Sequence, residues 1–348
     1  MLNDKGAAMT VDAIERCFEI GWTDGLPVVP PHRYLVEQML DALGWKADDV
    51  IGGIKTQRIE ITAQHLAAAA VMAGCRTDYA RVLRPLAELV VDEAFNVSGV
   101  EVTTGGPAVL VLVSGPVVQE MGFAHAANAI GGANARPNAT IGRFANLVRH
   151  FSGRGGGVLE THGTIGHPGR YSFLIAEHPE TQWGPFHTQL GIEAGESAVG
   201  IMAAEGPNSV NNHYASEADQ VLETIAGTLA HPGFTNWYWH FGACVVAIAP
   251  QHATLIASKY SRDEARHMLF EMSKRPTDEL IRLGRMPAEP REKSKVEPGA
   301  MRAPFDHESQ IHIIESGHDG GKFSAVIPAW VGDYSIHIKK IDSAVGSA

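Results

Sequence analysis

Between Asn138 and Arg143 the chain reads Asn-Ala-Thr-Ile-Gly-Arg and runs straight into apolar positions Ile141, Phe144, Leu147 and Val148 at helical spacing. This pattern predicts a helix whose first turn carries Asn138, Thr140, Gly142 and Arg143. Free backbone N–H groups at a helix start favour an anion. Asn or Thr can cap such a helix, and the Arg143 guanidinium can hold a carboxylate or phosphate through two parallel hydrogen bonds. The simpler alternative is an ordinary cap beside a solvated arginine. Glycines on either side favour a binding loop, with Asn138, Thr140 and Arg143 as substrate-binding residues.

Acid–base chemistry has a second address. Glu177 follows the apolar stretch Tyr171 to Ala176 and so falls at a strand end, and His187 follows Trp183-Gly184-Pro185-Phe186. A carboxylate and an imidazole at one edge are plausible proton-transfer partners, and Asp24 could orient the imidazole or take a second proton. The alternative makes Trp183 and Phe186 core anchors and His187 a loop cap. His162 and His167, five apart around Gly-Thr-Ile-Gly, could approach a metal from a loop, with Glu160 or Glu177 as a third ligand. Their spacing is not that of a helical zinc pair, and turn histidines bonded to backbone are the alternative.

Further polar turns flank apolar runs. Thr103 and Thr104 precede a buried strand and could lend hydroxyls to the pocket. Ser316-Gly-His-Asp-Gly-Gly-Lys322 follows another strand as a generic anion-cradling turn, with Lys322 as its cation. No phosphate-loop, dinucleotide or nucleophile-elbow spacing occurs, so no nucleotide cofactor is expected; the chain uses either no cofactor or a divalent metal. Cys75 lies at the end of an alanine-rich helix, where a thiolate gains no help from the dipole, so a structural thiol is favoured over a reactive one. Cys17 and Cys244 are expected on a helix and within a core strand.

Composition narrows the classes. With 348 residues, 45% hydrophobic and 19% charged, the chain can bury a sizeable core as one large domain or two joined ones. A net charge of -11 argues against nucleic acid or anionic membrane as partner. Three cysteines without CxxC spacing suit a reducing, cytoplasmic setting. No targeting peptide is read at the N-terminus, and the apolar runs are too short to span a bilayer.

The positioning elements follow an α/β pattern, mixed and mostly buried strands with helices on the faces and a loop-built site at the strand ends. Helices are expected from Thr10 to Ile20, Tyr34 to Leu43, Thr62 to Val71 and Tyr79 to Val91. Ala108 to Ser114 is a continuous apolar run typical of a strand buried on both faces. A similar phrase recurs at Ala243 to Ala249, followed by a short helix opening at Pro250 and a capping box at Ser261 and Glu264 for a helix through Met272. Gln310 to Glu315 is a third strand of this kind, and Tyr334 to Ile341 reads as an edge strand. Residues 286–306, rich in proline and charge, form an excursion or arm between a main region at 1–285 and C-terminal strands at 307–348 that complete the same domain. Arms and alanine-rich helices suggest a homo-oligomer.

Gly21-Trp-Thr-Asp-Gly-Leu-Pro-Val-Val-Pro-Pro31 resembles the opening of a bacterial family related to, or encoded with, the UGSC (seleno)proteins. Val71 to Cys75, Asn138 to Arg143 and Trp183 to His187 are similar to phrases of that family. The cysteine or selenocysteine tetrad itself is absent. Three functions follow as expectations. The first is a hydrolase or lyase acting on a small carboxylated molecule through His187 and Glu177 or Asp24, with or without a metal. The second is a non-catalytic substrate-binding or partner subunit for a thiol or selenol redox protein. The third is a redox enzyme using Cys75.

Overall fold

A computed structural model describes residues 4–54, 59–131, 135–151, 161–239, 242–287, 299–330 and 336–342. Helices α1 (Asp4–Glu19), α2 (Arg33–Leu43), α3 (Ala63–Ala73), α4 (Ala80–Val90) and α5 (Val97–Val102) make up most of the first hundred residues. They are interrupted by the antiparallel hairpin β1 (Val50–Ile54) and β2 (Ile59–Thr62). Next come β3 (Ala108–Ser114), α6 (Val117–Glu120), α7 (Arg136–Phe151), β4 (Leu174–Ala176), β5 (Ser197–Ala204) and β6 (Asn208–Asn211). The later chain runs α8 (Ala218–Leu229), α9 (Asn236–Trp239), β7 (Cys244–Ile248), α10 (Pro250–Ala257) and α11 (Arg262–Met272). It continues with β8 (Arg275–Pro276), α12 (Thr277–Arg282), β9 (Met301–Arg302), β10 (Ile311–Glu315), β11 (Phe323–Pro328) and β12 (His337–Ile341).

Two four-stranded mixed sheets result, ordered β4-β3-β5-β12 and β6-β11-β7-β10. Alternation along the strands explains how they stack. Val109, Val111 and Val113 of β3 belong to the core shared with α2, α3, α4 and α7, whereas Ala108, Leu110 and Leu112 belong to a second core. In β7, Cys244, Val246 and Ile248 join a third core with α8, α10 and α11, while Val245 and Ala247 meet the β3 residues in the second. The sheets therefore pack face to face with helices outside both, giving four layers. Burial on both faces is why β3 and β7 read as unbroken apolar runs.

The two sheets are also related to each other. β3 pairs parallel with β4 and antiparallel with β5; β7 pairs parallel with β10 and antiparallel with β11. The outer strands are exchanged: β6, which follows β5, edges the second sheet, and β12, which follows β11, edges the first. The halves meet at an antiparallel bridge between Ala204 and Ala329, flanked by bonds from Glu205 N to Pro328 O and from Trp330 N to Ala203 O. The phrase that recurs in the sequence is thus the centre of a repeated unit.

Several boundaries differ from the sequence reading. α1 starts at Asp4, so the helix expected from Thr10 begins earlier and Thr10 lies within it. α7 starts at Arg136, which puts Thr140, Gly142 and Arg143 beyond the first turn, and Ala139 N already bonds Ala135 O. Gly320 to Lys322 leads into strand β11, not into a helix. β5 and β11, central to their sheets, and the helix α8 have no counterpart in the sequence reading. In the 286–306 excursion, Met286 is buried and β9 pairs with β8; 288–298 lie outside the described residues.

Candidate active site

β3 and β4 run parallel and end together, so Ser114 and Glu177 emerge side by side. Ser114 Oγ makes a short hydrogen bond with Glu177 Oε2. The 3-10 turn Phe186–Leu190, entered through Pro185, places His187 Nδ1 2.7 Å from the same hydroxyl. The Phe186 N–H donates to both Glu177 oxygens, at 2.7 and 2.9 Å. His187 Nε2 lies 2.9 Å from Glu193 O. Ser114 and His187 are 0% exposed and Glu177 3%.

These partners fix a proton count. The Glu193 carbonyl can only accept, so Nε2 carries a hydrogen. If the ring is neutral, Nδ1 is a lone pair and Ser114 gives it its only hydrogen; the contact with Glu177 then requires a protonated carboxyl. If Glu177 is ionised, Ser114 donates to it and Nδ1 must be protonated, making the ring cationic. One dissociable proton therefore serves two bases across a single hydroxyl. Burial favours the uncharged arrangement, raising the Glu177 carboxyl to about 7 and lowering the His187 imidazole. Hydrogen bonds from Ser114 and Phe186 and the Arg262 charge pull Glu177 back towards ionisation.

The second sheet supplies the surroundings. Ser316 Oγ donates to Ala176 O at 2.7 Å, and His178 N donates to Glu315 O at 2.7 Å, tying the ends of β4 and β10. Glu315 Oε1 accepts from Gln182 N at 2.6 Å and Trp183 N at 3.3 Å, while its buried Oε2 has no hydrogen-bond partner among the described residues. Arg262 holds the carbonyls of Gly184 and Pro185, and its buried Nε–H is likewise without a partner. The half-buried imidazoles of His125 and His178 stand edge to face, 5.1 Å apart.

The other residues singled out in the sequence lie elsewhere. Asp24 does not reach His187: it forms a two-bonded ion pair with Arg143, at 2.7 and 3.0 Å. Arg143 also holds the carbonyls of Leu26 and Pro27, so four of its five N–H donors clamp the Gly21–Pro31 segment. Asn138 bonds both N and O of Ala124, and Thr140 Oγ1 donates to Arg136 O. Thr103 accepts from Trp330 Nε1, and Thr104 O accepts from Thr164 N. Both precede β3, at the strand end opposite Ser114, and so cannot share its pocket. Lys322 Nζ is engaged by Ala215 O.

His162 is exposed, and His167 Nε2 bonds Ala204 O while its ring packs on Phe173. Glu160 lies outside the described residues. Among the described residues no group of three His, Cys, Asp or Glu side chains is placed to hold a metal. Cys75 is buried, donates to Thr140 O, and has its thiol pushed up to about 12 by burial, the state of a structural cysteine. Among the described residues no helix is long and apolar enough to cross a membrane. Ser114 was the residue missed; a polar residue closing an apolar strand next to Gly115 was the signal that could have found it. No protein-family model matches the chain, and neither does any curated protein.

Proposed function

We propose that this chain is an enzyme of hydrolase or lyase type that cleaves a bond in a small carboxylated molecule, with Glu177 and His187 as its acid–base pair. The supporting observation is the contact of both groups with the one Ser114 hydroxyl, which leaves a single dissociable proton between them. A pair that exchanges one proton across a hydroxyl can withdraw a proton at one end and return it at the other without a buried net charge. Arg262, not Arg143, is the cation beside Glu177, and its Nε–H is the donor left for an anionic group of the substrate.

The test is a panel of carboxylated esters, amides and hydroxy acids, with their loss followed by proton NMR. Glu177→Gln and His187→Gln should each lower turnover by about 10²–10⁴-fold while circular dichroism stays native. Folded variants that keep the wild-type rate would overturn the reading.

The near-complete closure of Ser114, Glu177 and His187 favours a second reading, a non-catalytic subunit that binds or presents substrate to a thiol or selenol partner. It expects the purified chain to leave every panel member unchanged. The resemblance to UGSC-associated proteins supports this alternative, whereas the raised Cys75 thiol speaks against redox chemistry carried by this chain alone.

A further inference from the structure

A cleft of about 560 Å³ opens at the far end of the sheets from Ser114, where β5 turns into β6. Glu205, Asn208 and Ser209 line it from that turn and edge strand, and Thr228, His231 and Thr235 line it from the end of α8 and the segment that follows. No lysine or arginine is among its lining residues. The Glu205 carboxylate is half-buried, and among the described residues it accepts no hydrogen bond and forms no ion pair. Burial raises its proton affinity accordingly. The C-terminal end of α8, a twelve-residue helix, adds the negative end of its dipole to the same cleft. His231 Nδ1 accepts from Gly233 N at 3.1 Å, so its other ring nitrogen is the hydrogen-bearing one when the ring is neutral.

The repeated unit provides an internal control. The equivalent position in the first half, between β12 and the end of α4, is a cleft of about 870 Å³ also lined by β1 and β2. There one of the lining acids is already answered: Lys339 Nζ from β12 meets Glu88 of α4 at 2.6 Å. Counting from the Ala204–Ala329 bridge, Lys339 corresponds to Val210 in the second half, and Glu205 corresponds to Trp330. The first-half cleft is lined by four carboxylates, Glu60, Glu88, Asp92 and Glu93, with a lysine among them; the second-half cleft has Glu205 as its one lining carboxylate and lacks the lysine.

We infer that the Glu205 cleft is a binding site for a small polyhydroxylated amine, its ammonium meeting Glu205 and its hydroxyls meeting Asn208, Ser209, Thr228 and Thr235. Its volume falls in the range of small-molecule sites, and a carboxylate sheltered without a donor is the group that a cationic ligand completes. The site is independent of the acid–base pair, at the opposite end of β3.

Glucosamine is the probe, with glucose, which carries a hydroxyl in place of the ammonium, as the uncharged control, each titrated into the amide-labelled protein by NMR. Glucosamine should shift the amides of Glu205–Ser209 and Thr228–Thr235 in a saturable way, and glucose should not. Glu205→Gln, a conservative change at a half-buried side chain, should weaken glucosamine by about tenfold, the loss of one charge-assisted hydrogen bond. Absence of saturable shifts there, equal shifts with glucose, or unchanged affinity in Glu205→Gln would each overturn the assignment.

Discussion

At both ends of β3 the first half of the molecule keeps ionisable groups, whereas the residues at the equivalent register positions around β7, its counterpart in the second half, are neutral, and the carboxylate there, Glu315, lies one residue earlier on β10. Before β3, Glu101 pairs with both Arg149 and Arg170 while fully buried; before β7, the Asn236 amide holds the carbonyls of Gly242 and Ala243. After β3 stands Ser114 with Glu177; after β7 stands Ala249 beside Ser316. Strand order and sense are the same in both halves. The difference teaches that the repeated scaffold brings two strand ends together, and that only the side chains decide whether a proton can be held there.

Four measurements can break or sharpen that contrast. The largest effect is expected at the charged entrance to β3. Glu101→Gln leaves two guanidiniums without their carboxylate and should cost about 3–5 kcal/mol in urea unfolding. A loss under about 1 kcal/mol, the scale of one neutral hydrogen bond, would make the charged and neutral entrances equivalent.

The second concerns pH. The Glu177 carboxyl has an ordinary value of 4.5 and is raised to about 7 in the fold, so between those values the native state binds more protons than the unfolded one. The contribution of Glu177 to native stability is then fully present at low pH and falls as pH rises through that window, by up to about 3 kcal/mol, against the opposite slope of the lowered histidines His187 and His312. Glu177→Gln should abolish this fall. The raised carboxyls of Glu205 and Glu315 remain in both proteins and cancel in the difference. Parallel stability curves for wild type and variant would remove the shared proton.

The third is its counterpart in the second half. Ser316→Ala deletes one hydroxyl bond to Ala176 O and should cost about 1 kcal/mol, with no change in the pH profile. An altered profile would mean that the neutral end takes part in the titration. The smallest effect belongs to Ala249→Ser, which plants a hydroxyl where β7 ends. With no carboxylate at the neighbouring Ser316, it should stay within about 1 kcal/mol of wild type and leave the His187 proton signals unmoved.

Much of this was legible in the chain, for reasons that can be located. β3 and β7 are apolar on both faces, β10 is buried throughout, and Ser261 with Glu264 forms the capping box expected of them. β5 escaped because Ser-Ala-Val-Gly-Ile-Met-Ala-Ala lacks a β-branched run, and its Gly200 is kept small by Ile336. β11 escaped because glycines precede it and it ends in Pro328. Glu177 and His187 could be placed from a strand end and a proline-fixed turn. Ser114 carried only the weaker signal of a polar residue closing an apolar strand next to Gly115, because its partners Glu177 and His187 lie 63 and 73 residues away in the chain. The pairing of Arg143 with Asp24 joins residues on separate segments, and no local pattern reports it.

The exchange of β6 and β12 has a consequence during synthesis. Ser197 of β5 waits for Ile341, so the first sheet keeps an open edge until nearly all of the described chain has emerged. Such distant pairing slows folding, and an open edge invites the wrong strand. A second nascent copy carries the right one. Crowded or rapid expression should therefore yield dimers in which His337–Ile341 of each chain pairs with β5 of the other.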